Sequence, residues 1–328
     1  MASDGFGRSL TVGVEEELLL LDAESLELAA GVEQLLGPEG LKTELFSCLV
    51  ETNTPPCETV AEARAELVRL RGVVRQSAER EGLVVAASGT HPFSVPEEQP
   101  IVAEERYLQM LAELGPQARR QLVCGLHVHV GMASFDECLR TLAAIKPWLP
   151  AVLAVSLNSP YVAGAETGVL SSRAARLLEL PRAGEPPSLA SPEQWQAAIA
   201  ATGVDYTRSW WDARPHPRLG TLEVRIADQP TSVDRSAALA ALIQAFCAAP
   251  PPPPADGSRD GYLVRRAAAA HGSGPVDELL ELVRPAALEL GTWTLVESMR
   301  GPVEALRQLE TGRQDGLVAA TAELVALS

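Results

Sequence analysis

The chain has 328 residues, 46% of them hydrophobic, and its 43 acidic against 27 basic residues give a formal net charge of -16 at pH 7. This composition supports a packed core, but an acidic chain without a basic run repels phosphate backbones, so nucleic-acid binding is not expected. The five cysteines are scattered and form no CxxC pair, which argues against a disulfide framework and against a cysteine-based zinc site.

The first half of the chain alternates strand-like and helix-like patterns. The predicted elements are, in chain order, strands at 11–22 and 44–53, a helix at 60–81, a strand at 83–88, a helix at 104–114, a strand at 122–132 and a mostly helical segment at 135–157. Gly82 ends the first helix, and Pro147 and Pro150 interrupt the last helical segment.

The second half begins with a long segment, 158–187, that is rich in Gly, Pro, Ser and Thr and is predicted to be a loop. Loops of this length are usually lids or binding loops, which makes the segment a candidate for function. A strand at 220–228 and a helix at 234–248 follow, and a proline run then opens a stiff connection. We predict a sheet-and-helix core at 1–249, a Pro-rich connection at 250–261, and a C-terminal helical part of the same domain at 262–328.

Four predicted strands carry polar side chains on one face, because residues two apart in a strand share a face. These side chains are Glu15 and Glu17, Glu51, His127 and His129, and Glu223 and Arg225. Four carboxylates gathered on one face raise each other's pKa unless cations neutralise them. Magnesium prefers carboxylate oxygens and keeps coordination positions open for phosphate oxygens. The planar guanidinium of Arg225 would bind phosphate through two hydrogen bonds. The pattern therefore predicts a metal and phosphate site.

Each motif also has a plainer interpretation. A Glu-Glu-Glu run is usually a solvated face, and a Glu-x-Arg pair on a strand is usually a surface ion pair. Two histidines on one strand face leave open a zinc hydrolase, in which Glu223 or His91 would complete the ligands of His127 and His129. Neither a P-loop, a GxGxxG fingerprint nor a GxSxG elbow occurs in the sequence.

A series of short segments nevertheless follows the order of one enzyme family. The segments are GVEEE at 13–17, ETNTPPC at 51–57, SGTHPF at 88–93, CGLHVHVG at 124–131, NSP at 158–160, TG at 167–168, SR at 172–173, PRAG at 181–184, WDARP at 211–215 and TLEVR at 221–225. With them the chain resembles the glutamate–cysteine ligase type 2 family, the YbdK-like carboxylate–amine ligases of the glutamine-synthetase-like superfamily.

The resemblance implies an α+β, glutamine-synthetase-like fold, with an antiparallel sheet, helices on its outer face, and a metal and ATP site on its concave face. The implied cofactors are ATP and Mg²⁺, with Mn²⁺ as an alternative. The implied reaction activates a γ-carboxylate, of glutamate or a close analogue, as an acyl phosphate that an amine then attacks. Cysteine is the default amine.

The resemblance also assigns roles to residues. The implied metal ligands are Glu15, Glu17, Glu51, His127 and Glu223. His129 and Arg225 are implied nucleotide contacts, and Arg225 and Glu51 are the implied catalytic residues. Arg173 resembles the arginine that grips the α-carboxylate of glutamate. The further candidates for substrate binding are Asn158, His91 and Arg214.

The chain departs from the family after the proline run. Family members usually carry an Asn and an Arg in the following helix, where Val264 and Ala270 align, and a later Gly-Ala-Asp-Arg-Gln is reduced to residues 312–314. This departure leaves open a family member with a different donor or acceptor, or a non-catalytic nucleotide-binding paralogue.

The first residues and the apolar segments of the sequence indicate where in the cell the protein is expected. The first residues lack the pattern of a signal peptide, and the most apolar segment, 237–249, is too short to span a bilayer. We expect a cytoplasmic protein that binds small amino-acid substrates without membrane contact, and a homo-oligomer is left open.

Overall fold

The computed structural model describes residues 5–37, 40–249 and 259–328, with the exception of the side chains of residues 259 and 260. The strands are β1 Val12–Asp22, β2 Leu41–Thr43, β3 Leu49–Asn53, β4 Leu83–Ala86, β5 Leu126–Gly131, β6 Tyr161–Val162, β7 Ala165–Glu166, β8 Ala183–Gly184, β9 Trp210–Trp211, β10 Ala213–His216 and β11 Thr221–Val224. The α-helices are α1 Val32–Leu35, α2 Val60–Arg80, α3 Glu105–Leu114, α4 Pro116–Arg119, α5 Phe135–Ile145, α6 Leu149–Ala154, α7 Ser172–Leu177, α8 Pro192–Thr202, α9 Val233–Ala248, α10 Arg259–Ala270, α11 Val276–Glu289, α12 Trp293–Ser298, α13 Glu304–Gln314 and α14 Leu317–Leu327.

One long strand organises the main sheet. β1 pairs with β3 along one edge, and its other edge pairs first with β5 and then with β4. The sheet order is β10–β11–β5–β1–β3–β2, with β4 beside the second half of β1, and every pair is antiparallel. This antiparallel sheet with helices packed on it confirms the predicted α+β fold class.

One face of the sheet forms the main hydrophobic core. Val14 of β1, Val128 of β5 and Val224 of β11 are buried on this face. α2 and α9 pack against it, and because α9 also contacts α11 and α12, its run of Ala, Leu and Ile is buried on all sides. α9 begins where the Ser232 side chain accepts a hydrogen bond from the Arg235 N–H. The opposite face of the sheet carries the polar side chains.

A buried ion pair lies within the core. Glu16 points away from its neighbours Glu15 and Glu17 and is fully buried. Arg71 of α2 donates two hydrogen bonds to it, of 2.8 and 2.7 Å, and the Ser236 hydroxyl donates a third at 2.6 Å. Burial acts to raise the pKa of Glu16, but the charge of Arg71 brings it below its ordinary value. The middle Glu of the GVEEE motif is therefore a core residue.

The predicted strand at 44–53 is wrong in its first half. β2 ends at Thr43, and β3 begins only at Leu49. Between them the chain turns, with a hydrogen bond of 3.0 Å from the Leu49 N–H to the Phe46 carbonyl. The turn contains neither Gly nor Pro, and Ser47, a weaker turn former, is its one marker in the sequence.

The predicted loop at 158–187 contains short elements instead. β6 and β7 form a hairpin, α7 carries Arg173, and β8 pairs with β9. Elements of two residues are too short to show a period, and the four-residue β10 contains Pro215, which is tolerated because β10 is an edge strand. α8 was not predicted either. The prediction of a structureless loop is therefore corrected.

The C-terminal helices pack on the same core as the sheet. Tyr262 of α10, Leu280 of α11 and Val296 of α12 are buried with the aliphatic residues of β1, β5 and β11. The predicted Pro-rich connection lies outside the described residues as far as residue 258, and α10 already begins at Arg259. The predicted domain boundaries stay a prediction. No helix in the described part of the chain is both long and apolar enough to cross a membrane.

Candidate active site

Cross-strand neighbours build the floor of a cavity of about 420 Å³. Residues directly opposite each other on antiparallel strands have side chains in contact range. The opposed pairs on the polar face are Glu17–Glu51, Glu15–His127, His129–Glu223 and Glu223–Arg214. The register thus brings together side chains from β3, β1, β5, β11 and β10, and we call this surface the floor.

The first acid cluster consists of Glu15, His129 and Glu223, which offer ligand atoms within 4.8 Å of one another. The buried His129 Nε2 lies 3.5 Å from Glu15 Oε1 and has no hydrogen-bond partner among the described residues. Burial works against both charges, but each stabilises the other, so the pKa of Glu15 is lowered and that of His129 is raised. A nitrogen without a partner beside carboxylate oxygens suits a divalent cation, which would take the place of the proton on the imidazole.

The second acid cluster consists of Glu17, Glu44 and Glu51, whose carboxylate oxygens also lie within 4.8 Å of one another. Burial raises the pKa of Glu17 to about 7, and the charge of Glu51 adds to the rise. Burial and neighbouring carboxylates likewise raise the pKa values of Glu44 and Glu51. Because three neighbouring carboxylates, of which Glu51 is buried and Glu17 and Glu44 are partly buried, repel each other, a bound cation would stabilise this cluster.

Both clusters fit a hard divalent cation, since their donors are mainly carboxylate oxygens and include no thiolate. Glu223 also binds two guanidinium groups. Arg214 donates to it through hydrogen bonds of 2.7 and 3.2 Å, and Arg225 contacts it as well. Burial acts to raise the pKa of Glu223, but the charges of Arg225 and Arg214 bring it well below its ordinary value. The floor around Glu223 therefore combines cationic side chains with candidate cation ligands, and both can neutralise the charge of a phosphate group.

His127 lies between the two clusters. Its Nδ1 is 3.2 Å from Glu15 Oε2 and 3.3 Å from Arg225 Nη1, and its Nε2 is 3.8 Å from Glu17 Oε1. Burial and the charge of Arg225 lower the pKa of His127 to about 4, so the imidazole is neutral and can act as a ligand. The metal role of His127 and the nucleotide role of His129 stay predictions. The geometry places His129, rather than His127, inside the first acid cluster.

Arg173 lines the cavity, and its side chain is buried. Its Nη1 and Nη2 donate to the carbonyls of Ile226 and Arg225 at 3.2 and 3.0 Å, whereas its Nε has no hydrogen-bond partner in the described part of the chain. Gly125 makes this position possible, because a Cβ there would lie 2.1 Å from Arg173 Nη2. A buried guanidinium with an unused N–H suits a carboxylate ligand.

Two residues predicted to bind substrate lie outside the cavity lining. His91 Nε2 contacts the Leu26 carbonyl at 2.9 Å, and Asn158 Nδ2 donates to the Gln229 carbonyl at 2.8 Å. These contacts hold loops together and give no support to the predicted role. The zinc site that would join His91 to the two floor histidines is not formed. Arg214, the third candidate, lies on the floor.

Sequence reasoning missed Glu44. In an unbroken strand over 44–53, Glu44 and Glu51 would point to opposite faces, because they are separated by an odd number of residues. The turn between β2 and β3 removes this constraint and brings both side chains into the second acid cluster. Ser47 is a weak turn signal, so the sequence held little that could have placed Glu44 in this cluster.

A buried network joins the C-terminal helices to the cavity wall, and it was also missed. Arg266 of α10 binds Asp212 through hydrogen bonds of 2.7 and 3.0 Å, and the Tyr262 hydroxyl donates to Asp212 at 2.7 Å. Arg266 also donates to the carbonyl of Ala174, the residue after Arg173, at 2.7 Å. α10 thereby supports the segment that carries Arg173.

Comparison with known proteins gives the family. A sequence model described as glutamate–cysteine ligase family 2 matches residues 11–300. A protein of Herpetosiphon aurantiacus, provisionally named glutamate–cysteine ligase 2, is 42% identical over 246 residues, which are 72% of this chain and 64% of that relative. A Rubrobacter xylanophilus protein, provisionally named glutamate–cysteine ligase 2-3, is 42% identical over 258 residues, which are 74% of this chain and 71% of that relative. The chain thus spans about two thirds of the length of these relatives.

Two solved structures share the fold at low sequence identity. A bifunctional glutathione synthetase from Pasteurella multocida has a TM-score of 0.72 at 14% identity and covers 97% of this chain and 52% of its own. A glutamate–cysteine ligase from Francisella tularensis, in complex with AMP, has a TM-score of 0.68 at 11% identity and covers 98% of this chain and 88% of its own. These likenesses show that the chain shares the fold of these two ligases. Since the family match extends over most of the chain, the resemblance seen in its motifs is confirmed, and the chain belongs to glutamate–cysteine ligase family 2.

Proposed function

We propose that the chain is an ATP-dependent carboxylate–amine ligase. The observation that carries this proposal is the pair of acid clusters that lie side by side on the floor, flanked by Arg173, Arg214 and Arg225. Family membership and the AMP bound to the Francisella neighbour support nucleotide use. Mg²⁺ or Mn²⁺ is the proposed metal, and the proposed donor is glutamate or a close analogue, with cysteine as the default amine.

The proposed reaction has two steps. A carboxylate oxygen of the donor attacks the γ-phosphorus of ATP, which gives an acyl phosphate and releases ADP. The amine nitrogen then attacks the carbonyl carbon, phosphate leaves, and the nitrogen loses a proton. Phosphoryl transfer of this kind depends mainly on positioning and on neutralisation of charge, which bound divalent cations supply.

The floor residues have distinct proposed roles in these steps. Glu15 and Glu223 hold a cation in the first acid cluster, and Glu17 and Glu51 hold one in the second, with Glu44 completing the latter set. Arg225 neutralises charge on the transferred phosphoryl group, because its guanidinium lies on the floor beside both Glu223 and His127.

Arg173→Lys is expected to raise the KM for the donor by about tenfold to a hundredfold and to leave the KM for ATP unchanged. An ammonium cannot grip a carboxylate through two parallel hydrogen bonds, and a charged hydrogen bond is worth about 1.5–3 kcal/mol. Steady-state kinetics with each substrate varied in turn measures both constants. Arg176→Lys, on the same helix but outside the cavity lining, is the matched control. A rise in the KM for ATP alone would make Arg173 a phosphate ligand.

The proposed function is tested by trapping the acyl phosphate. Hydroxylamine is a small, strong nucleophile that needs no shaped pocket, so glutamate, ATP, Mg²⁺ and hydroxylamine should give ADP, phosphate and γ-glutamyl hydroxamate. Aspartate and aliphatic or aromatic carboxylates belong in the same assay, because the donor is a proposal. Colorimetric detection of hydroxamate and ADP in equal amounts measures the reaction.

The same assay separates the alternatives. A zinc hydrolase would form no hydroxamate and would lose activity with zinc chelation. A non-catalytic paralogue is favoured because Val264 and Ala270 lie where the family usually has Asn and Arg. Val264 is exposed and Ala270 is buried, and neither side chain can bind a substrate group through a charge or a hydrogen bond. Such a paralogue would bind ATP without forming hydroxamate from any donor, and that result would end the ligase proposal.

A further inference from the structure

One wall of the cavity differs in chemistry from the floor. It is lined by apolar side chains of α3, α7 and β9, among them Met110, Leu114, Leu177 and Trp210. Leu114 forms a small hydrophobic cluster with Leu180, against which the other three pack. Met110, Leu177 and Trp210 are only partly buried. The wall therefore presents apolar surface to the cavity. We call its five residues the apolar wall: Met110, Leu114, Leu177, Leu180 and Trp210.

The charged side chains beside the apolar wall already have partners. Arg106 Nε lies 2.8 Å from Glu104 Oε2, and its guanidinium stacks on the Tyr107 ring at 4.3 Å. Arg208 Nη2 lies 2.5 Å from Glu113 Oε2, which makes an ion pair by distance, although this nitrogen has no hydrogen-bond partner among the described residues. Because each guanidinium already has a carboxylate beside it, its charge is partly neutralised before a charged substrate group arrives.

The apolar wall is continuous with the end of the floor that carries the second acid cluster and Arg173. Leu49 shares a face of β3 with Glu51, and it lines the cavity. Val123, two residues before the Gly125 that makes room for Arg173, lines the cavity as well. A donor held by Arg173, with its other carboxylate at the acid clusters, would therefore have apolar surface next to it.

We propose, on the basis of the ligase function above, that the amine substrate binds against the apolar wall and carries an uncharged apolar group, either branched alkyl or aryl. The amine must reach the acyl carbon of a donor held at Arg173, and the apolar wall borders that position. A charged side chain on the amine would lose its hydration there and find the neighbouring arginines already paired.

Wild-type kinetics with a panel of amines tests the substrate class. With glutamate, ATP and Mg²⁺, isoamylamine should show a kcat/KM on the order of 50-fold above that of ethylamine, because each of three further buried carbons contributes about fourfold. Phenethylamine should behave like isoamylamine, while aspartate and lysine should be poorer. Cysteine, the default amine above, should also be poorer, because its side chain is neither branched alkyl nor aryl, so the inference replaces that default. Equal kcat/KM values across the panel, or a preference for the charged amines, would overturn the inference.

A variant tests whether the apolar group of the amine binds at the apolar wall. Met110→Glu should lower the ratio of kcat/KM for isoamylamine to that for hydroxylamine at least tenfold, since hydroxylamine has no side chain to place. Leu108→Glu is the matched control, because Leu108 lies on the same helix, is 46% exposed and is outside the cavity lining. It should leave the ratio unchanged. Met110→Gln provides a milder second change, expected to lower the ratio in the same direction.

The outcomes distinguish this inference from the function on which it rests. If Met110→Glu raises the KM for ATP and leaves the ratio unchanged, the apolar wall holds the adenine base and the inference is wrong. If wild type forms hydroxamate but shows no preference for apolar amines, the ligase function stands and the inference alone fails. If wild type forms no hydroxamate from any donor, both are overturned.

Discussion

Glu15→Gln is expected to lower magnesium-dependent ATP consumption by on the order of 10²-fold or more, while the protein stays folded. Glu15 belongs to the first acid cluster and faces both floor histidines, so its charge contributes to cation binding from a central position. A bound metal supplies several kcal/mol of transition-state stabilisation, and each 1.36 kcal/mol corresponds to a factor of ten in rate. The amide keeps the size of the side chain but removes the charge.

The measurement is ADP release as a function of Mg²⁺ concentration, with circular dichroism to show that the fold is kept. Glu24→Gln is the control, because Glu24 lies in the exposed turn directly after β1. The variant at Glu15 should need more Mg²⁺ for half-maximal rate, whereas the control should match wild type. Unchanged Mg²⁺-dependent activity in Glu15→Gln would remove the first acid cluster from the site.

Arg71→Met is expected to lower the free energy of unfolding by about 3–5 kcal/mol, because it leaves the buried Glu16 carboxylate without its cation. Arg75→Met, on the same helix but exposed, should change stability by less than about 0.5 kcal/mol. Urea unfolding monitored by circular dichroism compares the two. The combination of Arg71→Met with Glu16→Met should recover most of the loss, since it buries no unpaired charge.

A different pattern would contradict this account of the core. If Arg71→Met and Arg75→Met were equally stable, the ion pair would contribute nothing beyond the packing of its carbon atoms. If the double variant were no more stable than Arg71→Met, the loss would come from the other hydrogen bonds of Arg71, which donates to the carbonyls of Pro230 and Thr231. The three stabilities together therefore assign the effect to one cause.

Most of the floor could be predicted from single strands. In β5 and β11, polar residues alternate with aliphatic residues that face the core. β1 does not alternate in this way, but Glu15 and Glu17 are two residues apart in a strand and therefore share a face. The register between strands could not be predicted in this way. Because His127 and His129 share a face, only the pairing of β5 with β11 shows that His129 lies opposite Glu223.

The rest of the site depends on contacts between residues far apart in sequence. Glu44 joins the second acid cluster through a turn without Gly or Pro, and Arg266 reaches Asp212 from a helix 54 residues away. The helix α7 that carries Arg173 has six residues, too few for a periodic signal. His91 and Asn158 show the converse, since residues within matching motifs can hold loops rather than line the cavity.

The central claim is that the floor activates a carboxylate by phosphoryl transfer, and an isotope label tests it most directly. Glutamate labelled with ¹⁸O in its γ-carboxylate is incubated with ATP, Mg²⁺ and hydroxylamine, and the phosphate released is analysed by mass spectrometry. When hydroxylamine displaces phosphate from the acyl phosphate, one oxygen of the γ-carboxylate stays on the phosphorus. Each phosphate released should therefore carry one ¹⁸O atom, and the amount of labelled phosphate should equal the amount of hydroxamate. Release of ADP with unlabelled phosphate would show that water, not the carboxylate, attacks ATP, and it would contradict the ligase mechanism.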